Sequence, residues 1–321
     1  MTKNNEPAEG VSLVYQCHLN LSTGTITYLA DLLRSHLKAI RSPFRSLPPG
    51  RIAVLVLAML RHDQRLLDLA HGNGVPESTL RRWRDEMLDL LAARAPRLDR
   101  ALRQIAARGG EVVLIDGTLI PTQRRTGKAN RPNYSGKHHR HGLHFLALTD
   151  ERGKLVWISA ARRDKIVEHL KAAGPGALAD LGFIGVDKPK NLDDQVIVTG
   201  YKATRARKLT AGHKQANQIL AAARAPVEHA FANLKAWRTL TKLRTESARA
   251  TALLRALLVL TNLEANRRRH ADERSRTQTP AQGSQTGTDS EADAVRRSRR
   301  YAPGGAPKCR LNAFANANSE V

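Results

Sequence analysis

The stretch Glu111-Val-Val-Leu-Ile-Asp-Gly117 decides the fold class of this chain. Its apolar and β-branched residues form a short run bounded by an acid and a glycine, which predicts a buried strand ending at Asp116. Two more strand-like runs follow at 143–149 and 154–160, and a turn at 150–153 joins them. We therefore expect a mixed α/β layer rather than a solenoid.

Helical and strand patterns continue toward the C-terminus. A helix is expected from about 164 to 173, a short apolar run covers 177–181, and a further strand is expected at 195–199. A long helical stretch, 210–265, is interrupted by Pro226. The region 121–142 is rich in Arg, His, Gly and Asn, and we expect it to be a loop.

The first third of the chain has helical periodicity. Helices are expected near 26–40, 51–61, 63–71 and 77–92, and a basic helical connector at 93–107. From Arg267 large apolar residues almost disappear, which is typical of a disordered basic tail. The predicted organisation is an N-terminal extension (1–24), a helical domain (25–107), an α/β domain (108–266) and the tail (267–321).

The charge of the chain points to a polyanionic partner. Fifty-three Lys and Arg stand against 29 Asp and Glu, which gives a formal net charge of +24. Such an excess costs self-repulsion unless a polyanion neutralises it, and nucleic acid does so through phosphate contacts. A ribosomal protein or another polyanion-binding surface would share this composition, so charge alone names no function.

Cysteine usage and hydropathy indicate a cytoplasmic protein. The two cysteines, Cys17 and Cys309, lie near opposite ends and form neither metal-ligand spacing nor a disulfide framework. The first ten residues lack the pattern of a signal peptide. The longest apolar stretch, 52–60, is far shorter than the ~20 residues that a membrane span needs.

Residues 66–84 have the spacing of a helix-turn-helix. Ala70 is small where two helices would cross, Gly74 provides positive φ for the turn, and the second helix has an apolar face. Its outer face would meet base edges and phosphates through Ser78, Thr79, Arg81 and Arg82. An ordinary αα-hairpin with a solvated arginine face is the alternative.

Three acids, Asp116, Asp180 and Glu228, lie where a phosphoryl-transfer nuclease would need them. We expect Pro226 to be the first residue of a helix, which would put Glu228 in its first turn. Two Mg²⁺ or Mn²⁺ ions about 4 Å apart activate a water or a 3′-hydroxyl and stabilise the leaving oxygen, and such ions prefer carboxylate oxygens. Each acid also has a structural explanation, as a turn acid or a charge at a helix N-terminus.

Four segments in this order resemble the DDE transposases of bacterial insertion sequences related to the Harbinger group. They are Leu114-Ile-Asp-Gly-Thr118, Tyr134-Ser-Gly-Lys-His-His-Arg-His-Gly142, Ala179-Asp-Leu-Gly-Phe183 and Val227-Glu-His-Ala-Phe-Ala-Asn-Leu-Lys235. Each motif alone is weak, but their order is specific, and the resemblance covers about 47–265. It implies a ribonuclease-H-like catalytic domain preceded by the all-α helix-turn-helix domain.

The resemblance also implies roles for residues. Asp116, Asp180 and Glu228 would be the catalytic, metal-binding triad for two Mg²⁺ or Mn²⁺ ions. Double-stranded DNA, as terminal inverted repeats and target, would be the partner of a homo-oligomer in a synaptic complex. Basic residues of the predicted loop 121–142 and of the segment around Glu228 would also contact the DNA: Lys137, Arg140, Arg224 and Lys235.

One departure from the family pattern bears on activity. The family has a Pro-Gly-Ser-x-His-Asp-like segment before the first helix of the catalytic domain, whereas Trp157-Ile-Ser-Ala-Ala-Arg-Arg-Asp164 runs almost directly into that helix. Asp164 could stand in for the missing Asp. The expected function is a transposase that cleaves and joins DNA. The alternatives are a decayed, non-catalytic DNA-binding relative and a basic RNA-binding protein.

Overall fold

The computed structural model describes residues 18–42, 45–123, 133–160, 165–187, 194–205 and 208–277. For 271–277 it describes the helical backbone alone. Within these ranges the chain forms five N-terminal helices, a mixed sheet with one helix, and two long C-terminal helices. No helix in the described ranges combines the length and the apolar character needed to cross a bilayer.

The N-terminal helices confirm the helical periodicity of the sequence, because their apolar residues form buried surfaces. In the first helix, for example, Leu29, Leu33 and Leu37 are buried. The second is buried along most of its length and contacts the first and the fourth. The helices are α1 (Thr23–Ala39), α2 (Pro49–His62), α3 (Leu66–His71), α4 (Glu77–Arg94) and α5 (Leu98–Ala106).

The sheet confirms the expected mixed α/β layer. Its strands are β1 (Val112–Pro121), β2 (Tyr134–Ser135), β3 (Arg140–Asp150), β4 (Leu155–Ala160), β5 (Gly176–Ala179) and β6 (Ile197–Thr199). The order is β2-β3-β1-β5-β6, and β4 also pairs with β3. β3 is antiparallel to β1 and β4, whereas β5 is parallel to β1 and β6. β1 is therefore a central strand in a sheet compatible with a nuclease-like fold.

Two boundaries of the predicted sheet were wrong. β1 does not end at Asp116, since the segment from Gly117 to Pro121 continues the antiparallel ladder with β3. For the same reason β3 begins at Arg140, inside the region expected to be a loop. Asp116 therefore lies in the middle of a central strand, where its backbone is paired with Ala147 of β3.

The C-terminal part contains α6 (Ile166–Ala173), α7 (Ala211–Lys235) and α8 (Ser247–Thr277). Pro226 was expected to start a helix, but it lies inside α7, which begins where the Thr210 side chain accepts a hydrogen bond from the His213 amide at 3.2 Å. An internal proline costs about 3 kcal/mol. The buried apolar face that follows it offsets this cost: Val227, Ala230, Phe231 and Leu234.

The two faces of the sheet bury different cores. On β1, Leu114 and Ile120 belong to a core shared with α1, α2, α4, α7 and α8. Val113 and Ile115 belong to a second core, shared with α5 and α6. The first core is thus continuous across residue 108, where the sequence predicted a domain boundary.

The helix α8 also continues to Thr277, past the point where a disordered tail was expected from Arg267. Its residue Glu264 contacts Ser22 and Thr25, at the beginning of the described chain. Oε1 of Glu264, only 8% exposed, accepts hydrogen bonds from the Ser22 amide, the Ser22 hydroxyl and the Thr25 hydroxyl at 3.1, 2.9 and 2.5 Å. A carboxylate of α8 therefore caps the N-terminus of α1, where negative charge is favourable.

We expect Glu264→Ala to lower the free energy of unfolding by about 1–3 kcal/mol, because the buried Thr25 hydroxyl and the part-buried donors of Ser22 lose this acceptor. Urea denaturation measures the change. Glu264→Gln is the matched control, since it keeps an acceptor oxygen and should lose less. Equal stability of the alanine variant and the wild type would contradict this role.

Candidate active site and nucleic-acid interface

Asp116 is held on β1 by its strand neighbours. Its backbone lies opposite Ala147 of β3, and the preceding Ile115 pairs with Ala179 of β5. The Asp116 Oδ1 atom accepts a hydrogen bond from the Gly117 amide at 2.7 Å, and the side chain is only 19% exposed. The carboxylate is therefore fixed on a rigid element and largely withdrawn from water.

Asp180 follows β5 and lies beside Asp116 in the sheet. Because Ile115 and Ala179 are paired in parallel register, the next residue of each segment is an acid. Oδ1 of Asp180 accepts a hydrogen bond from the Gly182 amide at 2.9 Å and caps a short 3-10 turn, Leu181–Phe183. The turn-capping alternative is thus correct for its local structure, and it keeps the carboxylate at the end of β5.

Glu228 comes from α7, which packs across β1, β3 and β5. Val227 is buried beneath it, whereas Glu228 itself is exposed. Arg224 lies one helical turn earlier and therefore shares its side of the helix. The helix thus carries both a third acid and a cation over the sheet.

Arg224 forms an ion pair with Asp116. A terminal guanidinium nitrogen of Arg224 lies 3.3 Å from Asp116 Oδ2, and the two side chains are 17% and 19% exposed. The buried Nε of Arg224 has no hydrogen-bond partner among the described residues. The sequence predicted Arg224 as a DNA contact and missed this pair, although its spacing of four from Glu228 already indicated a shared helix face.

The three acids influence one another electrostatically. Burial raises the pKa of the Asp116 carboxyl above its ordinary value, and the negative charges of Asp180 and Glu228 raise it further. The Gly117 amide and Arg224 act in the opposite direction. Charges from three distant segments therefore converge on Asp116.

The side chains of the three acids are not arranged as metal ligands in this structure. Among the residues that the structure describes, no three His, Cys, Asp or Glu side chains are arranged to share an ion. Asp116 has one oxygen on the Gly117 amide and the other on Arg224. The metal-binding role of the triad stays a prediction, and Asp164 lies outside the described residues.

The other basic residues predicted to contact DNA are exposed. Lys137 lies in the turn between β2 and β3, and Arg140 begins β3. Desolvation lowers the pKa of His144, and the positive charges of His138 and Lys137 lower it further. Lys235 ends α7, with its Nζ 5.9 Å from the centre of the Phe231 ring. Their contacts with DNA stay predictions.

The candidate DNA-reading element consists of α3, a tight turn and α4. Gly74 has φ +63°, and the Val75 amide donates to the Ala70 carbonyl at 3.0 Å across the turn. The predicted crossing residue and apolar face are buried, at 0–4% exposure: Ala70, Val75, Leu80 and Trp83. Ser78, Arg81 and Arg82 are exposed and Thr79 is half-buried. Whether this helix pair reads DNA is a prediction that the fold leaves open.

Comparison with known protein families gives a match in the α/β region. Residues 115–262 match the family model described as DDE superfamily endonuclease. The matched range contains Asp116, Asp180 and Glu228 and begins after the N-terminal helices. Comparisons with curated proteins and with solved structures found no match.

We expect the carboxyl pKa of Asp116 to respond in opposite directions to two substitutions on α7. Arg224→Gln should raise it, because a neighbouring positive charge is lost, and Glu228→Gln should lower it, because a negative charge is lost. Carbon-13 NMR titration of the Asp116 carboxyl measures both. Shifts of the same sign would contradict the described geometry.

The raised pKa also fixes a pH dependence. The folded protein binds the Asp116 proton more tightly than the unfolded chain does. The contribution of Asp116 to the free energy of unfolding therefore decreases as the pH rises from the ordinary carboxyl pKa through the raised one. Glu228→Gln should reduce this decrease, and denaturation at a series of pH values measures it.

Proposed function

We propose that this chain, which carries a DDE superfamily endonuclease domain at residues 115–262 and is related to DDE-type transposases, is a metal-dependent transposase. It would bind the ends of a DNA element, cleave beside them and join the 3′-hydroxyl to target DNA. The main support is the parallel register of β1 and β5, which brings Asp116 and Asp180 side by side, while α7 carries Glu228 across the same strands. A ribonuclease-H-like fold is proposed with it, since β1 is central and carries the first acid.

The donor set suits Mg²⁺ or Mn²⁺. Asp116, Asp180 and Glu228 offer hard carboxylate oxygens, which these cations prefer. Burial is the main cause of the raised pKa of Asp116, and the negative charges of Asp180 and Glu228 add to it; a divalent cation would relieve both effects. Two bound ions would activate a water or 3′-hydroxyl and stabilise the leaving oxygen of the phosphodiester. Ligation requires side-chain rotation and release of Asp116 from Arg224.

The residues of the chain would act mainly by positioning. The amides of Gly117 and Gly182 hold Asp116 and Asp180 in fixed orientations, at 2.7 and 2.9 Å. Glu228 approaches from a helix and keeps more freedom, because it is exposed. The exposed cations Lys137, Arg140 and Lys235 would hold phosphates of the bound duplex, and such contacts fix the register of a duplex without reading its sequence.

Recognition of the element ends is assigned to α4. Its first turns present Ser78, Thr79, Arg81 and Arg82, and a recognition helix contacts bases through its N-terminal residues. Arg81 is paired with Glu77 one turn earlier, which orients it along the helix. Two ends must meet in transposition, so we also propose a homo-oligomer in the synaptic complex. The cytoplasm, where the DNA lies, is the proposed compartment.

We expect Asp116→Asn to abolish Mg²⁺-dependent cleavage and to leave duplex affinity nearly unchanged. Loss of a metal ligand should exceed the ~10–100-fold cost of losing a ligand's outer-shell partner. Cleavage of DNA carrying the element's ends measures activity, and fluorescence anisotropy measures binding. Asp99→Asn, on an exposed part of α5, is the matched control and should cleave normally.

The same assay separates the proposal from its alternative. Equal cleavage by wild type and Asp116→Asn would refute the assignment of the site. Duplex binding without cleavage by the wild type would favour a decayed, non-catalytic relative. The ion pair between Asp116 and Arg224 supports that alternative, because it occupies a carboxylate oxygen that a metal ion would need.

We expect Arg82→Gln to weaken binding to duplex DNA and to reduce the slope of log K against log salt by about one, since one phosphate contact contributes about 0.9. Anisotropy titrations over a range of salt concentrations measure the slope. Arg100→Gln, an exposed arginine of α5, removes the same charge elsewhere. An identical slope for both variants would argue against DNA binding by α4.

A further inference from the structure

We propose that Arg224 is an internal counterion that occupies Asp116 until DNA arrives, so that DNA binding and metal loading are coupled. The inference rests on the proposed function and adds a regulation of the same site. In the DNA-free protein the guanidinium neutralises Asp116. When DNA binds, a phosphate takes the guanidinium and frees the carboxylate for a divalent cation.

The ion pair blocks the ligand that a metal would need most. Asp116 is the one acid of the three that lies within a central strand, and its two oxygens are both engaged. Gly117 donates to Oδ1 at 2.7 Å, and Arg224 lies 3.3 Å from Oδ2. The amide can stay when a cation binds, because a carboxylate oxygen has a second lone pair. The positively charged guanidinium would repel the cation.

The pair is also shielded from water. Both side chains are less than one fifth exposed, and charges in such surroundings interact more strongly than charges in water. Arg224 is therefore a real competitor for the site, unlike the exposed cations Lys137, Arg140 and Lys235. A divalent ion that binds without DNA must displace it.

Arg224 has a reason to leave when phosphate is available. Its buried Nε has no hydrogen-bond partner among the described residues, so Asp116 satisfies the guanidinium only in part. A guanidinium binds phosphate oxygens through two parallel hydrogen bonds, which would engage more of its donors. The exposed Glu228 one turn later shows that this side of α7 opens to the surface.

Coupling of this kind is reciprocal. If a phosphate removes Arg224 from Asp116, DNA tightens the binding of the metal, and the metal tightens the binding of DNA by the same factor. A site of this design would stay poorly loaded while no substrate is present. Cleavage of unrelated phosphodiesters would then be restricted.

The test measures Mn²⁺ affinity of the full chain by calorimetry, with and without a mixed-sequence duplex. We expect Arg224→Gln to bind Mn²⁺ without DNA at least about fivefold more tightly than wild type, within the usual range of coupling. The duplex should tighten binding by wild type and have little effect on the variant. The same Mn²⁺ titration of Asp116→Asn in the presence of the duplex measures the heat from Mn²⁺ that binds to the DNA itself, which is then subtracted.

Two further variants keep the result specific. Arg224→Lys retains the charge beside Asp116, so its Mn²⁺ affinity should stay near that of wild type. Lys214→Gln removes one exposed charge from the first turn of α7 and should leave Mn²⁺ affinity unchanged. A gain equal to that of Arg224→Gln in the Lys214 variant would overturn the inference, because the effect would then be general charge.

The remaining outcomes separate the inference from the function beneath it. Mn²⁺ binding that depends on Asp116 but is indifferent to Arg224 and to DNA would overturn the counterion role and leave the metal site standing. Mn²⁺ binding in no protein, with or without DNA, would overturn both. If the wild type binds Mn²⁺ without DNA as tightly as Arg224→Gln does, the counterion role is overturned as well.

Discussion

A carboxylate in the middle of a central strand is the constraint on which this site depends. Asp116 is paired through its backbone to Ala147 of β3, and the preceding Ile115 is paired to Ala179 of β5, so the sheet fixes its position. Burial disfavours its charged form, and two neighbouring acids add to the cost. A neighbouring cation stabilises the charged form, and α7 supplies it as Arg224.

The position of that cation depends on packing far from the site. α7 continues through Pro226 because Val227, Phe231 and Leu234 are buried beneath it. Its partner α8 packs on β4 and α4, and Glu264 of α8 caps α1. The N-terminal helices and the sheet thus share one core. The position of α4 relative to the sheet is set by this core rather than by a linker.

Most secondary structure followed from the sequence because it depends on local periodicity. The helices α1 to α5 and the strands β3 and β4 have apolar patterns that their burial explains. The end of β1 was wrong because ladder bonds with Gly142 to Leu146 extend the strand past its acid. The predicted start of this helical stretch near 210 is confirmed, but the prediction that Pro226 begins a helix was wrong, because burial of the apolar face after the proline lets α7 continue through it. The ion pair of Arg224 depends on where a helix crosses a sheet, which sequence periodicity does not report.

The charges of the three acids and of Arg224 distinguish the site paired with Arg224 from the proposed site loaded with divalent cations. The ionised carboxylates of Asp116, Asp180 and Glu228 would carry three negative charges, and Arg224 offsets one of them. The remainder repels a DNA phosphate, although the chain as a whole carries +24. Two divalent cations would reverse the sign at the acids and make the same surface attractive to phosphate. Under the proposed function, Arg224 would balance the acids in the absence of DNA, and divalent ions would take its place when a phosphodiester is bound.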